Sequence, residues 1–286
     1  MRAGLVGSGI GPSLTPDLHE SEAKAQNIDY RYERFDTSSG RWNGAPLSEI
    51  LDYAEKHEFV GLNITHPFKV HVCQLIDRLE GAAAHIEAVN TVVFRDGRRI
   101  GHSTDYSGFR EAVRHSSLPL SGQKIAQFGA GGAGAATALA LVDEKVSALL
   151  LVDTDRERAD YLAAQLTRVR PEAEIGAATP EGIDFKDFGG VVNATPVGMH
   201  TYPGQPFNLP AFNPSAWVAD IVYRPLETEL VCAARRQGRQ VLNGGAMALN
   251  QAIHTFKLLT DRQPDTSRMK SVFASLLAQQ DLEADA

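Results

Sequence analysis

The sequence predicts an α/β fold in two domains, with largely parallel sheets. Two observations carry this. The chain has 286 residues, enough for two domains at ~100–200 residues each. Short apolar runs of strand length alternate with helix-length segments along the whole chain, the mark of α/β architecture. The composition agrees: 43% hydrophobic and 22% charged residues describe an ordinary globular chain and exclude a disordered or fibrous one.

The elements follow in order. Leu5-Val6 reads as a strand, and a helix is expected over 16–26, with Thr15 as N-cap and Pro16 at its first position. Residues 30–35 alternate tyrosine or phenylalanine with charge, as a half-buried strand does. A helix over 47–57 and a short buried strand over 60–64 come next, then two strands, 88–94 and 98–103, around the hairpin signal Asp96-Gly97. A helix over 106–115 links the domains. Residues 124–128 form a strand, and a glycine-rich turn over 129–134 opens a helix running to about 142. Residues 148–152 are nearly pure Leu and Val, as in a strand covered on both faces. A charged amphipathic helix over 155–169 is closed by Pro171, and strands are expected at 190–193, 217–220 and 240–242. Helices over 246–259 and 265–277 end the chain, with the polar segment 279–286 as its nearest approach to a tail. The expected domains are 1–105 with 245–286, and 106–244.

The charge balance of 28 basic and 35 acidic residues, net −7, offers no broad basic footprint for nucleic acid or an anionic membrane. No run reaches the ~18 apolar residues of a membrane span, and the N-terminus lacks the long apolar region of a signal peptide. A cytoplasmic protein is expected, so Asn63-Ile64-Thr65 and Asn193-Ala194-Thr195 are not read as glycosylation sites. Cys73 and Cys232 build neither a disulfide framework nor a zinc site and read as buried structural thiols; no metal is expected.

Gly129-Ala130-Gly131-Gly132-Ala133-Gly134 satisfies G-x-G-x-x-G in the required context of strand, turn, helix and second strand ending in an acid. Gly129 permits the tight turn, Gly131 lets backbone approach a pyrophosphate, and Gly134 allows helix to pack on strand. This is a Rossmann site, with the helix N-terminus supplying N–H donors to phosphate. Asp153 follows Gly134 by 19 residues, where a carboxylate binds the adenosine ribose hydroxyls. It also repels a 2′-phosphate, by ~4 kcal/mol for unit charges ~4 Å apart at an effective dielectric of ~20. NAD is therefore expected over NADP. Arg156 and Arg158 leave two readings: either swings round to neutralise a phosphate, or both form a solvated helix face.

Asn63-Ile64-Thr65-His66-Pro67-Phe68-Lys69 puts polar groups directly after a buried strand, where a parallel sheet presents its ligand crevice. Thr104-Asp105 ends another strand. A lysine and an aspartate converging there can move a proton. Spacing alone allows equally that Lys69 is a surface lysine and Asp105 an N-cap. His102 reads as a satisfied polar residue, not a catalyst.

The chain resembles the shikimate dehydrogenase family from residue 4 to about residue 275. The motifs occur in the family's order: Ser13-Leu14-Thr15-Pro16 with His19; the segment from Asn63 to Lys69; Ala88-Val89-Asn90-Thr91; Thr104-Asp105 with Gly108-Phe109; Asn193-Ala194-Thr195-Pro196-Val197-Gly198-Met199; Asp220-Ile221-Val222-Tyr223; and Gly244, Met247 and Gln251. The resemblance implies an N-terminal α/β substrate domain and a Rossmann dinucleotide-binding domain, with the active-site cleft between them. It implies that Ser13 and Thr15 bind the substrate carboxylate with Tyr223 nearby, and that Thr65, Asn90, Asp105 and Gln251 bind ring hydroxyls. Lys69 would be the general acid/base, held by Asp105. Thr195, Pro196, Ile221 and Gly244 would join the glycine loop, Asp153 and Arg158 in binding the cofactor.

Three departures refine this. NADP-using members typically carry Asn-Arg-Thr where this chain has Asp153-Thr154-Asp155. Thr15 replaces the serine usual in biosynthetic members and is similar to the NAD-dependent quinate/shikimate dehydrogenases. Ser103 replaces the usual Asn before Thr104. The expectation is an NAD-dependent oxidoreductase interconverting shikimate/3-dehydroshikimate and quinate/3-dehydroquinate by hydride transfer at the ring C3 hydroxyl, acting as monomer or homodimer on a small hydroxy acid. The alternatives are a biosynthetic NADP-dependent shikimate dehydrogenase, an aminoshikimate-type dehydrogenase, and a non-catalytic NAD-binding sensor.

Overall fold

The structure is a computed structural model that describes residues 1–284. Two compact units divide the chain, Met1–Thr104 with Gln251–Ala286, and Asp105–Asn250. Asp285 and Ala286, the end of the expected polar tail, lie outside the described residues; the part before them is helical.

The first unit contains β1 (Arg2–Gly7), α1 (Thr15–Ala25), β2 (Arg31–Asp36), α2 (Leu47–Lys56), β3 (Gly61–Ile64), β4 (Arg78–Leu79), α3 (Ala82–Ile86), β5 (Thr91–Arg95) and β6 (Arg98–His102). Its six strands run in the order β2-β1-β3-β5-β6-β4. β1 is parallel to β2 and β3, whereas β5 is antiparallel to both β3 and β6. Three of its five pairs, β4–β6 included, are parallel, as expected of largely parallel sheets, and β5 alone runs against its neighbours. The cause is the Asp96-Gly97 turn: both residues sit at positive φ, 53° and 68°, and a two-residue loop of that kind reverses the chain. Neighbouring residues on a strand point to opposite faces. Val6, Phe35, Leu62 and Val92 accordingly pack with α2, while Ala3, Leu5, Tyr32 and Val93 pack in a separate core with Phe256 and Leu259.

The second unit follows α4 (Thr104–Arg114) with β7 (Lys124–Phe128), α5 (Gly132–Asp143), β8 (Ala148–Val152), α6 (Arg156–Val169), β9 (Glu174–Ala178), β10 (Gly190–Asn193), β11 (Trp217–Asp220), α7 (Glu229–Arg236) and β12 (Val241–Leu242). All its pairs are parallel, in the order β12-β11-β10-β7-β8-β9. Read from β9, this is the 3-2-1-4-5-6 order of a dinucleotide-binding sheet, whose switch point lies between β7 and β10. β9 and α7 were not foreseen: Glu174–Ala178 (EIGAA) has a single β-branched residue and none fully buried, and α7 is only eight residues long.

The chain closes with α8 (Gly244–Thr260) and α9 (Thr266–Ala284). The division between the two units falls within α8, after Asn250. Asn250 donates to the Gly108 carbonyl (3.4 Å), while Thr255 and Phe256 pack in the first unit. Cys73 and Cys232 are half-buried, short of the full burial expected. Among the described residues no helix is long and apolar enough to cross a membrane.

Candidate active site

β7 ends at Phe128, and the chain turns at Gly129 with φ +99°. A Cβ at Gly129 would stand 2.6 Å from the Ala194 carbonyl oxygen, and one at Gly134 would stand 2.2 Å from that of Gly129. The protein's own packing requires both glycines. Gly131 is different. Its φ is −77°, and nothing lies within 4 Å of where its Cβ would be. It is the N-cap of α5, and no side chain caps that terminus. A glycine demanded by no internal contact, at an uncapped helix start, is a cradle that a side chain would fill and a pyrophosphate fits. Gly132 and Ala133 flank it half-buried, and Ala130 is buried.

Two buried side chains fix this loop. The Gln127 Nε2 donates to the carbonyls of Gly129 (3.0 Å) and Gly134 (2.8 Å), and its Oε1 accepts from Thr137 (2.8 Å). At the end of β8, Asp153 Oδ2 accepts the Ala130 N–H (2.8 Å) and Oδ1 the Asp155 N–H (3.0 Å). The carboxylate is thereby held against the glycine loop. Arg158 is exposed, with Nη2 3.3 Å from Asp155 and Nη1 3.8 Å from Asp153. Arg156 pairs with Asp160 at 2.9 Å. The two arginines are solvated, as one reading had it, but each is ion-paired. Asp155 caps α6 by accepting the Arg158 N–H.

Across the switch point, Gly129 packs on Ala194 and the segment that follows β10. The Asn193 Nδ2 donates to Asp220 Oδ1 (2.9 Å) and the Val197 carbonyl (2.9 Å). Its Oδ1 accepts from the Thr195 N–H (3.0 Å) and hydroxyl (2.7 Å). The Thr195 hydroxyl proton is therefore committed to Asn193, while its oxygen accepts the Val197 N–H (3.2 Å). Pro196 is exposed in the same turn. Asp220 is 1% exposed and accepts from Asn193, the Val222 N–H (3.0 Å) and the Thr228 hydroxyl (2.7 Å). Burial outweighs these bonds and pushes its carboxyl up to about 6. Ile221 is tied by its N–H to the Asn193 carbonyl (3.0 Å), and a Cβ at Gly244 would stand 2.5 Å from the Ile221 carbonyl oxygen. Tyr223 follows, half-buried.

In the first unit, α1 begins at Thr15 and Leu14 takes the cap position with helical backbone, φ −81° and ψ −11°. Thr15 is not the N-cap: an N-cap side chain works from extended backbone, and the turn into α1 is already helical one residue earlier. Instead the Ser13 Oγ accepts the Thr15 N–H (3.3 Å). Thr65 extends β3, its N–H donating to the Val6 carbonyl (2.9 Å). Lys69 is half-buried, and its carbonyl accepts the Val89 N–H (2.8 Å). Asn90 is 4% exposed; its Oδ1 accepts the Thr104 N–H (2.6 Å), and its Nδ2 donates to the Thr104 hydroxyl (2.8 Å) and to Gln251 Oε1 (3.4 Å). Asn90 and Gln251 are thus brought together. Asp105, at the start of the second unit, is buried in the first turn of α4 and is not its cap. His102 is half-buried, with Nε2 3.9 Å from Glu80.

The sequence reading did not single out Gln127, Asn193, Asp220, Asn63, Thr91 or Thr255 as site residues. For Asn63, Asn193 and Asp220 the signal was a lone polar residue inside a short, fully buried strand, GLNI, GVVN and WVAD. Asn63 and Asn193 are 4% and 0% exposed, so neither is a glycosylation acceptor in the folded chain.

Residues 5–92 match the family model for the shikimate dehydrogenase substrate binding domain. The shikimate dehydrogenase (NADP(+)) of Pseudarthrobacter chlorophenolicus is 44% identical, over 98% of this chain and 97% of that protein. The quinate/shikimate dehydrogenase (NAD(+)) of Corynebacterium efficiens is 41% identical, over 96% of this chain and 97% of that protein. Among solved structures, quinate dehydrogenase from Corynebacterium glutamicum in complex with NAD superimposes with a TM-score of 0.89 at 40% identity, covering 96% of this chain and 99% of that one. With both units accounted for over nearly their full length, the chain belongs to the shikimate dehydrogenase family.

Proposed function

We propose that this family member is an NAD-dependent quinate/shikimate dehydrogenase, interconverting each acid and its 3-dehydro product at the ring C3 hydroxyl. Relatives of similar identity divide between NAD and NADP, so descent alone does not choose the cofactor. The observation that carries the choice is the Asp153 carboxylate bonded to the Ala130 N–H of the glycine loop, where a 2′-phosphate would meet a negative charge. One observation favours NADP instead: Arg158 lies exposed 3.8 Å from that carboxylate.

The bound nicotinamide supplies the hydride acceptor. In the direction of oxidation, Lys69 as a neutral amine takes the C3 hydroxyl proton; in reduction its ammonium returns it. Asp105 orients Lys69 and binds a ring hydroxyl. Thr65, Asn90 and Gln251 hold the remaining hydroxyls, and Ser13, Thr15 and Tyr223 hold the carboxylate. Gly129 through Gly134, Asp153, Arg158, Thr195, Pro196, Ile221 and Gly244 hold the dinucleotide. The Thr15 methyl shapes the pocket near C1, where quinate carries a hydroxyl and shikimate a double bond. We place the enzyme in the cytoplasm, with its two cysteines as free thiols.

Initial rates with quinate and shikimate, each with NAD and NADP, test the assignment. NAD-linked turnover of both acids is expected, and comparable efficiency with NADP overturns the cofactor choice. Lys69→Ala is expected to cut turnover by roughly 10²–10⁴-fold, and activity that survives it removes Lys69 from the proton transfer.

A further inference from the structure

Behind Asn90 and Gln251 lies a ring of three buried hydroxyls that no step above uses. The Thr104 and Thr255 oxygens are 2.9 Å apart, Thr91 and Thr255 3.1 Å, and Thr91 and Thr104 3.3 Å. All three residues are at most 3% exposed. One circulation satisfies the ring, each hydroxyl donating to the next. The Asn63 NH2 shares its two hydrogens among the Asn90 carbonyl (3.1 Å) and the Thr91 (3.2 Å) and Thr255 (3.4 Å) hydroxyls, so it feeds the ring, while the Asn63 Oδ1 accepts from the Tyr32 hydroxyl (2.5 Å).

The ring has a polarity that reaches the substrate groups. The Thr104 N–H must have an acceptor, so the Asn90 oxygen faces it and the Asn90 NH2 faces the Thr104 hydroxyl and Gln251. Gln251 then turns its oxygen to Asn90 and its own NH2 the other way. Thr255 ties α8 to this set. Its hydroxyl holds Thr104, and it sits one helical turn after Gln251, on the same face of α8.

We infer that Thr255 is a positioning residue for the hydroxy acid, tying the face of α8 that carries Gln251 to Thr91 and Thr104 and so holding the Gln251 amide against that of Asn90. This rests on the functional reading above. Without the Thr255 hydroxyl, α8 loses its bonds to Thr91 and Thr104, and Gln251 is no longer held in register with Asn90, whose own orientation the Thr104 N–H still fixes.

The test is steady-state kinetics of Thr255→Val, an isosteric change that removes only the hydroxyl, beside Thr255→Ser, which keeps it. Thr255→Val is expected to lower kcat/KM for quinate and shikimate at least tenfold through the acid's KM, with the KM for NAD within twofold of wild type. Thr255→Ser is expected to stay within threefold on every parameter. A merely structural role would lower the melting temperature without separating the two KM values. Should Thr255→Val fail to fold, Thr91→Val breaks the same ring from β5 and is expected to show the same split. A folded variant with wild-type acid KM, or with both KM values moved alike, overturns the inference and leaves the activity standing. A wild-type chain that turns over neither acid overturns the functional reading, and this role with it.

Discussion

Acid should destabilise the first unit in part through His19. The ring is fully buried on α1, edge-on to Tyr32 at 5.2 Å and Phe256 at 5.7 Å, with Nδ1 3.3 Å from the Tyr30 hydroxyl. Nε2 makes no hydrogen bond. Burial pushes its pKa down from 6.5 to about 3, opposed only by the backbone of Ala252. Between these two values the unfolded chain takes up a proton that the folded chain refuses. A depressed histidine therefore contributes stability that is complete above pH 6.5 and falls as pH drops toward 3. At about 1.4 kcal/mol per pH unit, the loss is about 2 kcal/mol by pH 5, a large part of the ~5–15 kcal/mol that separates folded from unfolded domains. Trp42 reports on this unit, lying 5.2 Å from Phe35 and 4.9 Å from Tyr53. We would follow its fluorescence through urea unfolding in a Trp217→Phe background, with and without His19→Leu. Differencing the two removes the other titrating groups, Glu22 among them. The His19→Leu chain should gain about 2 kcal/mol relative to its parent between pH 7 and pH 5. A difference that does not change over that range would refute the argument, because it would mean that His19 accepts a proton in the folded state.

The nucleotide loop makes two more expectations. Gly131→Ala should leave the melting temperature nearly unchanged, since open space surrounds the new methyl, yet weaken NAD binding at least tenfold by calorimetric titration. Gly134→Ala should do the reverse and destabilise the second unit by about 1–3 kcal/mol, because its methyl meets the Gly129 carbonyl; equal effects from both would refute the distinction. Asp153→Ser should bring the kcat/KM values for NAD and NADP at least tenfold closer, read by initial rates, and an unchanged ratio would mean that Asp153 does not select the cofactor.

Much of the second unit is legible from residue order alone. β7, β8, β10 and β11 fall where mainly apolar runs of strand length predict them, since strands covered on both faces are largely apolar. The glycine spacing and the acid at the end of β8 mark the dinucleotide site because that chemistry is local: a turn, a helix start and one strand end. The first unit hid more. Its β5–β6 hairpin was announced by Asp96-Gly97, but not that β5 would pair antiparallel with β3, which depends on partners distant in sequence. Thr15 looked like a cap because its residue type suits one; Leu14 entering helical backbone decided otherwise.

The same division applies to the site. The sequence alone determined which residue types the motifs carry, Lys69, Asn90, Asp105 and Gln251 among them, because those motifs are short-range. Only the tertiary structure decided which polar groups share a proton. Thr91, Thr104 and Thr255 form one ring although the outer two lie 164 positions apart. Asp220 and Asn193 meet 27 positions apart. A buried hydroxyl or carboxylate is tolerable only with its partners in place, and a folded core brings those partners together from distant segments whose spacing carries no local signal.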